Sequence, residues 1–417
     1  MKTNHIIKSI KAREILDSKG TPTIETELHT NIGVFYASVP SGVSKGIYEA
    51  KELRDNEKRY QGMGVKKAVE NVEKIIAPKL KRKNFLRQKQ IDDIMIKMDG
   101  TENKSRLGAN AILSVSMAVC RAGASALKIP LYEYIAKLSK ENTVKHKIPY
   151  PCFLMIEGGT HAGNNLDFQE FMIMTRQDCF SKNLRTGQEI YQNLKKILIR
   201  KYGKLNTNVG MEGGFAPDIN LSEQALNLLM ETKEKFNDKD ANIILDVAAS
   251  EFFKNKKYKI SQKKFSSDKL LTYYLSLIKR YSIIGIEDPF AQNDWKGFQK
   301  MVKIADNNFK FIIGDDLTAT NIDRVKKAVK KKAVNGIIIK PNQIGTISET
   351  IETIQFAKKH NIKIFVKHRS GETNDDFIAD LAVGVGAYAI MAGAPVRGER
   401  VAKYNRLLKI EQELYSS

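Results

Sequence analysis

The chain has 417 residues, is 42% apolar, and carries a formal charge of +22 from 69 Lys and Arg against 47 Asp and Glu. That length buries a large core in about two domains, while no apolar run reaches the ~18 residues that a membrane span needs. Met1 to His5 lacks a secretory apolar core, and Cys120, Cys152 and Cys179 lie far apart without a CxxC pair. A cytoplasmic protein without a disulfide framework or zinc site is therefore expected. The lysines are spread along the chain, and the denser groups at Lys254–Lys264 and Lys326–Lys332 lack a binding motif. They read as solvated surface, with nucleic-acid binding disfavoured and a field that attracts anionic substrates as the milder reading.

Residues 6 to 39 include alternation, as in Thr23-Ile24-Glu25-Thr26-Glu27-Leu28, with breaks at Gly20-Thr21-Pro22 and Asn31-Ile32-Gly33. The pattern predicts an antiparallel β-meander with one solvated face. The small-residue stretch Pro40 to Gly46 then reads either as a connector or as a mobile lid that brings a hydroxyl to a ligand. From Gly64 to about Tyr134 the period is helical, and the small residues of Leu107 to Ala118 predict close helix packing. The polar stretch Ala136 to Lys147, followed by Ile148-Pro149-Tyr150-Pro151, reads as a domain junction.

Beyond it, short apolar runs alternate with helix-like segments: Phe171–Met174, Ile243–Leu245, Ile283–Ile286, Phe311–Ile313, Ile337–Ile339, Ile364–Val366 and Ala387–Ile390. Repeated βα units of this size predict a parallel sheet covered on both faces, in sufficient number to close a barrel. Charged residues end five of the runs: Asp246, Glu287-Asp288, Asp315-Asp316, Lys340, and Lys367-His368-Arg369. Barrel active sites are built from the C-terminal ends of different strands, so these groups converge on one mouth. Asp246, Glu287 and Asp315 would repel one another without a cation, and their hard oxygens favour Mg2+. Taken singly, each acid reads better as a helix N-cap. Lys340 ends a buried strand, where desolvation makes a lysine a usable base near neutral pH; the alternative is a side chain that snorkels to water.

In its motifs the chain resembles the enolase family nearly end to end. The resemblance is carried by Ser41-Gly42-Val43-Ser44-Lys45-Gly46, Leu107 to Leu113, Gly158-Gly159-Thr160-His161-Ala162-Gly163-Asn164, Gln169-Glu170-Phe171 and Glu212-Gly213-Gly214-Phe215-Ala216-Pro217. It continues through Asp246 to Glu251, Glu287-Asp288-Pro289-Phe290, Gly314-Asp315-Asp316-Leu317, the Lys340 strand and His368 to Thr373. It implies an α/β fold: an N-terminal α+β capping domain at 1–140 with the mobile loop 40–46, and an enolase-type (β/α) barrel at 141–417. It also implies a homodimer that dehydrates 2-phosphoglycerate, a small phosphorylated carboxylate, to phosphoenolpyruvate. Asp246, Glu287 and Asp315 would hold the first of two Mg2+ ions, and Ser44 would reach the second. Lys340 would be the general base and Glu212 the acid, supported by Glu170. Arg369 and Ser370 would hold phosphate, while His161 and His368 line the site. A base beside Mg2+ is the arrangement known for this superfamily.

Several positions depart from the family pattern. Met391 stands where a second active-site lysine is expected, with Ala392 in place of a threonine; Met211 replaces an acid and Glu157 an asparagine. Lys45 and Lys367 stand where threonine and serine are common, and Pro341 follows the base. Lys45 and Lys367 are both candidates to replace the missing cation. Three readings follow: an ordinary enolase with tolerated drift, a paralogue with an altered phosphorylated or phosphonate substrate of the carboxyphosphonoenolpyruvate synthase kind, and a degenerate non-catalytic enolase.

Overall fold

The computed structural model describes residues 5–43, 46–140, 147–234, 236, 241–305 and 309–415. Ser44 and Lys45 of the 40–46 loop, and 141–146 at the expected domain junction, lie outside the described residues. β1 (Ile7–Leu16), β2 (Pro22–Thr30) and β3 (Val34–Ser38) form the antiparallel meander anticipated from the sequence, with Thr26 opposite Ala12 and Ala37. Ile24, Thr26 and Leu28 alternate inward on β2 and are buried beneath the helix Ala109–Ala126. Small side chains on that helix allow a close approach, and the Thr26 and Ser114 hydroxyls share a hydrogen bond of 2.6 Å across the contact. Among the described residues no single helix is long and apolar enough to cross a membrane.

The second body is a closed barrel of eight strands. They are β4 (Tyr150–Glu157), β5 (Glu170–Thr175), β6 (Ala241–Asp246), β10 (Ile283–Glu287), β11 (Phe311–Gly314), β12 (Gly336–Ile339), β13 (Lys363–Lys367) and β14 (Ala389–Met391), with β14 closing onto β4. Ile337, Ile338 and Ile339 are all buried, as a strand covered on both faces requires. Between β6 and β10, the short strands β7 (Phe253–Lys254), β8 (Lys257–Ile260) and β9 (Lys263–Phe265) form a separate antiparallel sheet. Its lysines accord with the solvated reading: Tyr258 and Ile260 are buried while Lys257 and Lys259 face out.

Two features of the barrel differ from the sequence expectation. β4 was hidden in the Tyr150-Pro151 stretch read as a junction; Pro151 is tolerated early in a strand, and the run Cys152 to Ile156 supplies the missing eighth strand. The sheet is also not wholly parallel, because β5 runs antiparallel to both β4 and β6. Reversal carries the first residue of β5, Glu170, to the rim where the other strands end. Across that rim Glu157 pairs with Glu170, Glu170 with Asp246, and Asp246 with Glu287. On the other side Lys367 pairs with Met391 and Met391 with Cys152.

Because Ile338 is fully buried in the central barrel wall, Ile338→Ala should cost about 2–5 kcal/mol, measured by chemical denaturation.

Candidate active site

Lys367, the last residue of β13, sends its ammonium into the ring of acids. Its Nζ lies 2.8 Å from Asp246 Oδ2, 2.8 Å from Glu287 Oε1 and 3.0 Å from Glu170 Oε1. Burial works against the charge on Lys367, but Asp246, Glu170 and Glu287 outweigh it and hold the group well above the ordinary lysine range. The same burial pushes Glu287 well up, with the Asp246 charge adding to it. Glu170 rises to about 8, again chiefly from burial. Asp246 is further tied by Gln169, whose Nε2 donates to Oδ2 at 3.2 Å.

Lys340, directly after β12, donates through Nζ to Asp315, and Gln343 Nε2 donates to the other Asp315 oxygen at 2.8 Å. This corrects the expectation of a lysine depressed by desolvation. Burial does pull Lys340 down, but the Asp315 charge opposes it and the net direction is up. Lys340 therefore rests here as an ammonium, and Asp315 as a carboxylate held down to about 2 against its burial by Lys340 and Lys367. No snorkelling occurs, since Lys340 is turned to a buried acid.

Glu212 occupies the opposite part of the mouth. His368 Nε2 lies 3.0 Å from Glu212 Oε2, and His161 Nδ1 lies 3.4 Å from Oε1. Arg400, on the C-terminal helix Gly398–Tyr415, points Nη1 at His368 Nδ1 at 2.5 Å. A guanidinium can only donate, so Nδ1 accepts and Nε2 carries the proton given to Glu212. Burial lowers His368 to about 3, keeping the ring neutral. Burial would raise Glu212, but His368, His161 and Arg400 hold it well below the carboxylate range. Glu157 braces this loop from behind: its Oε1 accepts the Glu212 N–H at 3.0 Å and its Oε2 the Gly214 N–H at 3.2 Å. Burial keeps Glu157 itself well above the usual range.

The described part of the 40–46 loop docks on the same mouth. Ser41 and Gly371 exchange backbone hydrogen bonds of 2.7 and 2.9 Å, and the Val43 N–H donates to Ser370 Oγ at 2.9 Å. A Cβ on Gly42 would lie 1.7 Å from Arg369 Nη2, so only glycine passes over that guanidinium. Arg369 is not open to a phosphate in this arrangement, because Nη1 donates to Glu49 Oε2 at 2.7 Å and to Asn342 Oδ1 at 3.3 Å.

The structure thus brings together Lys340, Lys367, Glu170, Glu212, His161, His368, Arg369, Ser370, Asp246, Glu287 and Asp315. Ser44 and Lys45 lie outside the described residues. The acids fit a hard cation: Asp246 and Glu287 already aim oxygens at one common cationic atom, 2.8 Å from each. Among the described residues, Asp288, Asp315 and Asp316 bring one carboxylate oxygen each within 4.8 Å of one another, as Glu157, His161 and Glu212 do with their ligand atoms. Asp288 is partly committed elsewhere, accepting the N–H groups of Asp315 and Asp316 at 3.0 and 2.7 Å. Sequence reasoning missed Gln169, Gln343, Glu49, Asp288 and Arg400 as supports. Gln343 and Gln169 sit inside quoted motifs, whereas Arg400 acts on His368 from 32 residues away without a local signal. A cleft of about 1200 Å³ opens beside Tyr150, Lys363 and Tyr388, and none of these acids lines it.

Comparison with known proteins bears on the family of the chain. A family model described as "Enolase, N-terminal domain" matches residues 7–135, and one described as "Enolase, C-terminal TIM barrel domain" matches 145–417. The chain is 49% identical over 423 aligned positions to Enolase B of Dictyostelium discoideum, covering 98% of this chain and 95% of that protein.

An imidazole held neutral down to about pH 3 contributes stability that is present above its unfolded value of 6.5 and lost as pH falls below it. The stability gap between the unaltered chain and His368→Asn should therefore narrow by up to about 1.4 kcal/mol per pH unit on acidification below pH 6.5, read by urea denaturation.

Proposed function

Because the chain belongs to the enolase family and is a hydro-lyase that dehydrates 2-phosphoglycerate to phosphoenolpyruvate, we propose that Lys340 is its base, Glu212 its acid and Glu170 the support of Glu212. Asp246, Glu287 and Asp315 would hold one Mg2+, and Ser44 would serve a second. Bound Mg2+ supplies Lewis-acid stabilisation of the carboxylate that gains charge on proton abstraction.

The remaining chemistry belongs to the chain. Lys340 takes the proton α to the carboxylate, for which it must first be a neutral amine. With Asp315 engaged elsewhere, burial among Ile337, Ile338 and Ile339 favours that form. On the other side of the mouth, Glu212 meets the leaving hydroxide. The free site holds Glu212 ionised, while Glu170 keeps its proton up to about pH 8 and feels the Glu212 charge, so a proton source lies beside the acid. His161 and His368 orient Glu212. Arg369 and Ser370 bind phosphate, the planar guanidinium fork exchanging Glu49 for it.

The observation that carries this reading is the set of buried groups at the strand ends: Lys340 bonded to Asp315, Asp246 and Glu287 sharing one cationic atom, and Glu212 set against His161 and His368. The paralogue and non-catalytic readings gain no support from a relative named enolase at 49% identity. Homodimeric assembly, a cytoplasmic location and a domain division at 140/141 belong to the same proposal and rest on the family resemblance.

Purified protein supplied with Mg2+ and 2-phosphoglycerate should form phosphoenolpyruvate, and undetectable turnover would reject the reading. Lys340→Ala should slow exchange of the substrate α-proton with solvent by roughly 10²–10⁴-fold or more, followed by NMR in deuterated buffer. Exchange at the unaltered rate would remove Lys340 from the base role.

A further inference from the structure

The mouth contains one buried cation to which the reaction scheme gives no task. Lys367 is 3% exposed and stands on β13 opposite Met391 of β14, in the register that pairs their Cα atoms. Met391 is itself 1% exposed and uncharged. From this position the Lys367 ammonium touches oxygens of Asp246, Glu287 and Glu170. Two of those three are the acids assigned to the metal, so the ammonium and a divalent ion want the same oxygens. They cannot both have them in the present geometry.

We propose that Lys367 is a metal-gated substrate-binding cation: it caps the acids until a divalent ion takes Asp246 and Glu287, and then pairs with the substrate carboxylate. The inference rests on the function proposed above. Its physical basis is charge balance. An ammonium displaced from Asp246 and Glu287 keeps only Glu170 as a partner, and a buried charge left short of counter-charge is costly. An incoming carboxylate supplies what is missing. Lys367 is well placed to give it, since its neighbour across the sheet is neutral, Lys340 is reserved for the proton and Arg369 faces the lid.

The same exchange makes metal and substrate binding mutually dependent. Before the metal arrives, Lys367 is occupied by three acid side chains and has nothing to offer an anion. After it arrives, the cation is available and the acids are neutralised. A ligand that carries the phosphate but no carboxylate should be indifferent to Lys367, because the phosphate falls to Arg369 and Ser370.

Calorimetry with three probes tests this: Mg2+ alone, 2-phosphoglycerate with Mg2+, and glycerol 2-phosphate with Mg2+, which lacks the carboxylate. Lys367→Met should bind Mg2+ at least about tenfold more tightly than the unaltered chain, since the competing ammonium is gone. It should bind 2-phosphoglycerate at least about tenfold more weakly and glycerol 2-phosphate equally well. Lys367→Gln, neutral but still able to donate to a carboxylate, gives the same readings should the methionine variant not fold. Unchanged or weakened Mg2+ binding would overturn the gate, and equal losses for both phosphate ligands would overturn the carboxylate role. Turnover by the unaltered chain reports separately on the proposed function, so its failure and the failure of this inference are distinguishable.

Discussion

The structure depends on how a rim of buried carboxylates is kept electrically tolerable. Glu157, Glu170, Asp246, Glu287 and Asp315 all lie at one end of the barrel, and each is 8% exposed or less. Acids so placed survive only with hydrogen bonds and counter-charges. Lys367 serves three of them, Lys340 serves Asp315, and backbone N–H groups serve Glu157. Strand register decides who meets whom. Reversing β5 puts Glu170 between Glu157 and Asp246, so one ammonium on β13 can answer acids from β5, β6 and β10.

The departures from the enolase pattern make sense in this setting. Met391 looks like the loss of a cation, yet its register partner across the sheet is Lys367. A buried ammonium therefore stands one strand away from the position where the resemblance expects a lysine. Glu157 is likewise no stray acid, since its carboxylate fixes the loop that carries Glu212 through two backbone hydrogen bonds. Burial discourages its ionisation, so it adds little charge to the rim at neutral pH. Met211 contributes through its backbone, where its carbonyl accepts from Arg400 Nη2 at 3.3 Å.

The sequence made the chemistry more legible than the geometry that supports it. Apolar runs ending in Asp246, Glu287, Asp315, Lys340 and Lys367 announced a barrel mouth, because strand hydrophobicity and terminal charge are local signals. β4 was obscured by Pro149 and Pro151, which read as punctuation although the strand starts between them and runs on through Pro151. The direction of β5 is a matter of chain return and leaves no mark in its residues. Long-range supports such as Arg400 on His368 and Glu49 on Arg369 are invisible without the fold. The Lys340 direction was misjudged for a related reason: desolvation follows from the apolar run, whereas the Asp315 charge that outweighs it comes from another strand.

The central claim is that Lys367 neutralises the acid rim in the metal-free chain, and thermal unfolding of Lys367→Met with and without Mg2+ tests it most directly. Removing the ammonium leaves Asp246, Glu287 and Glu170 without their shared partner, so without divalent ions the variant should lose about 3–5 kcal/mol. Adding Mg2+ should restore most of that loss. A variant as stable as the unaltered chain in the absence of divalent ions, or one that Mg2+ does not restore, would contradict the account.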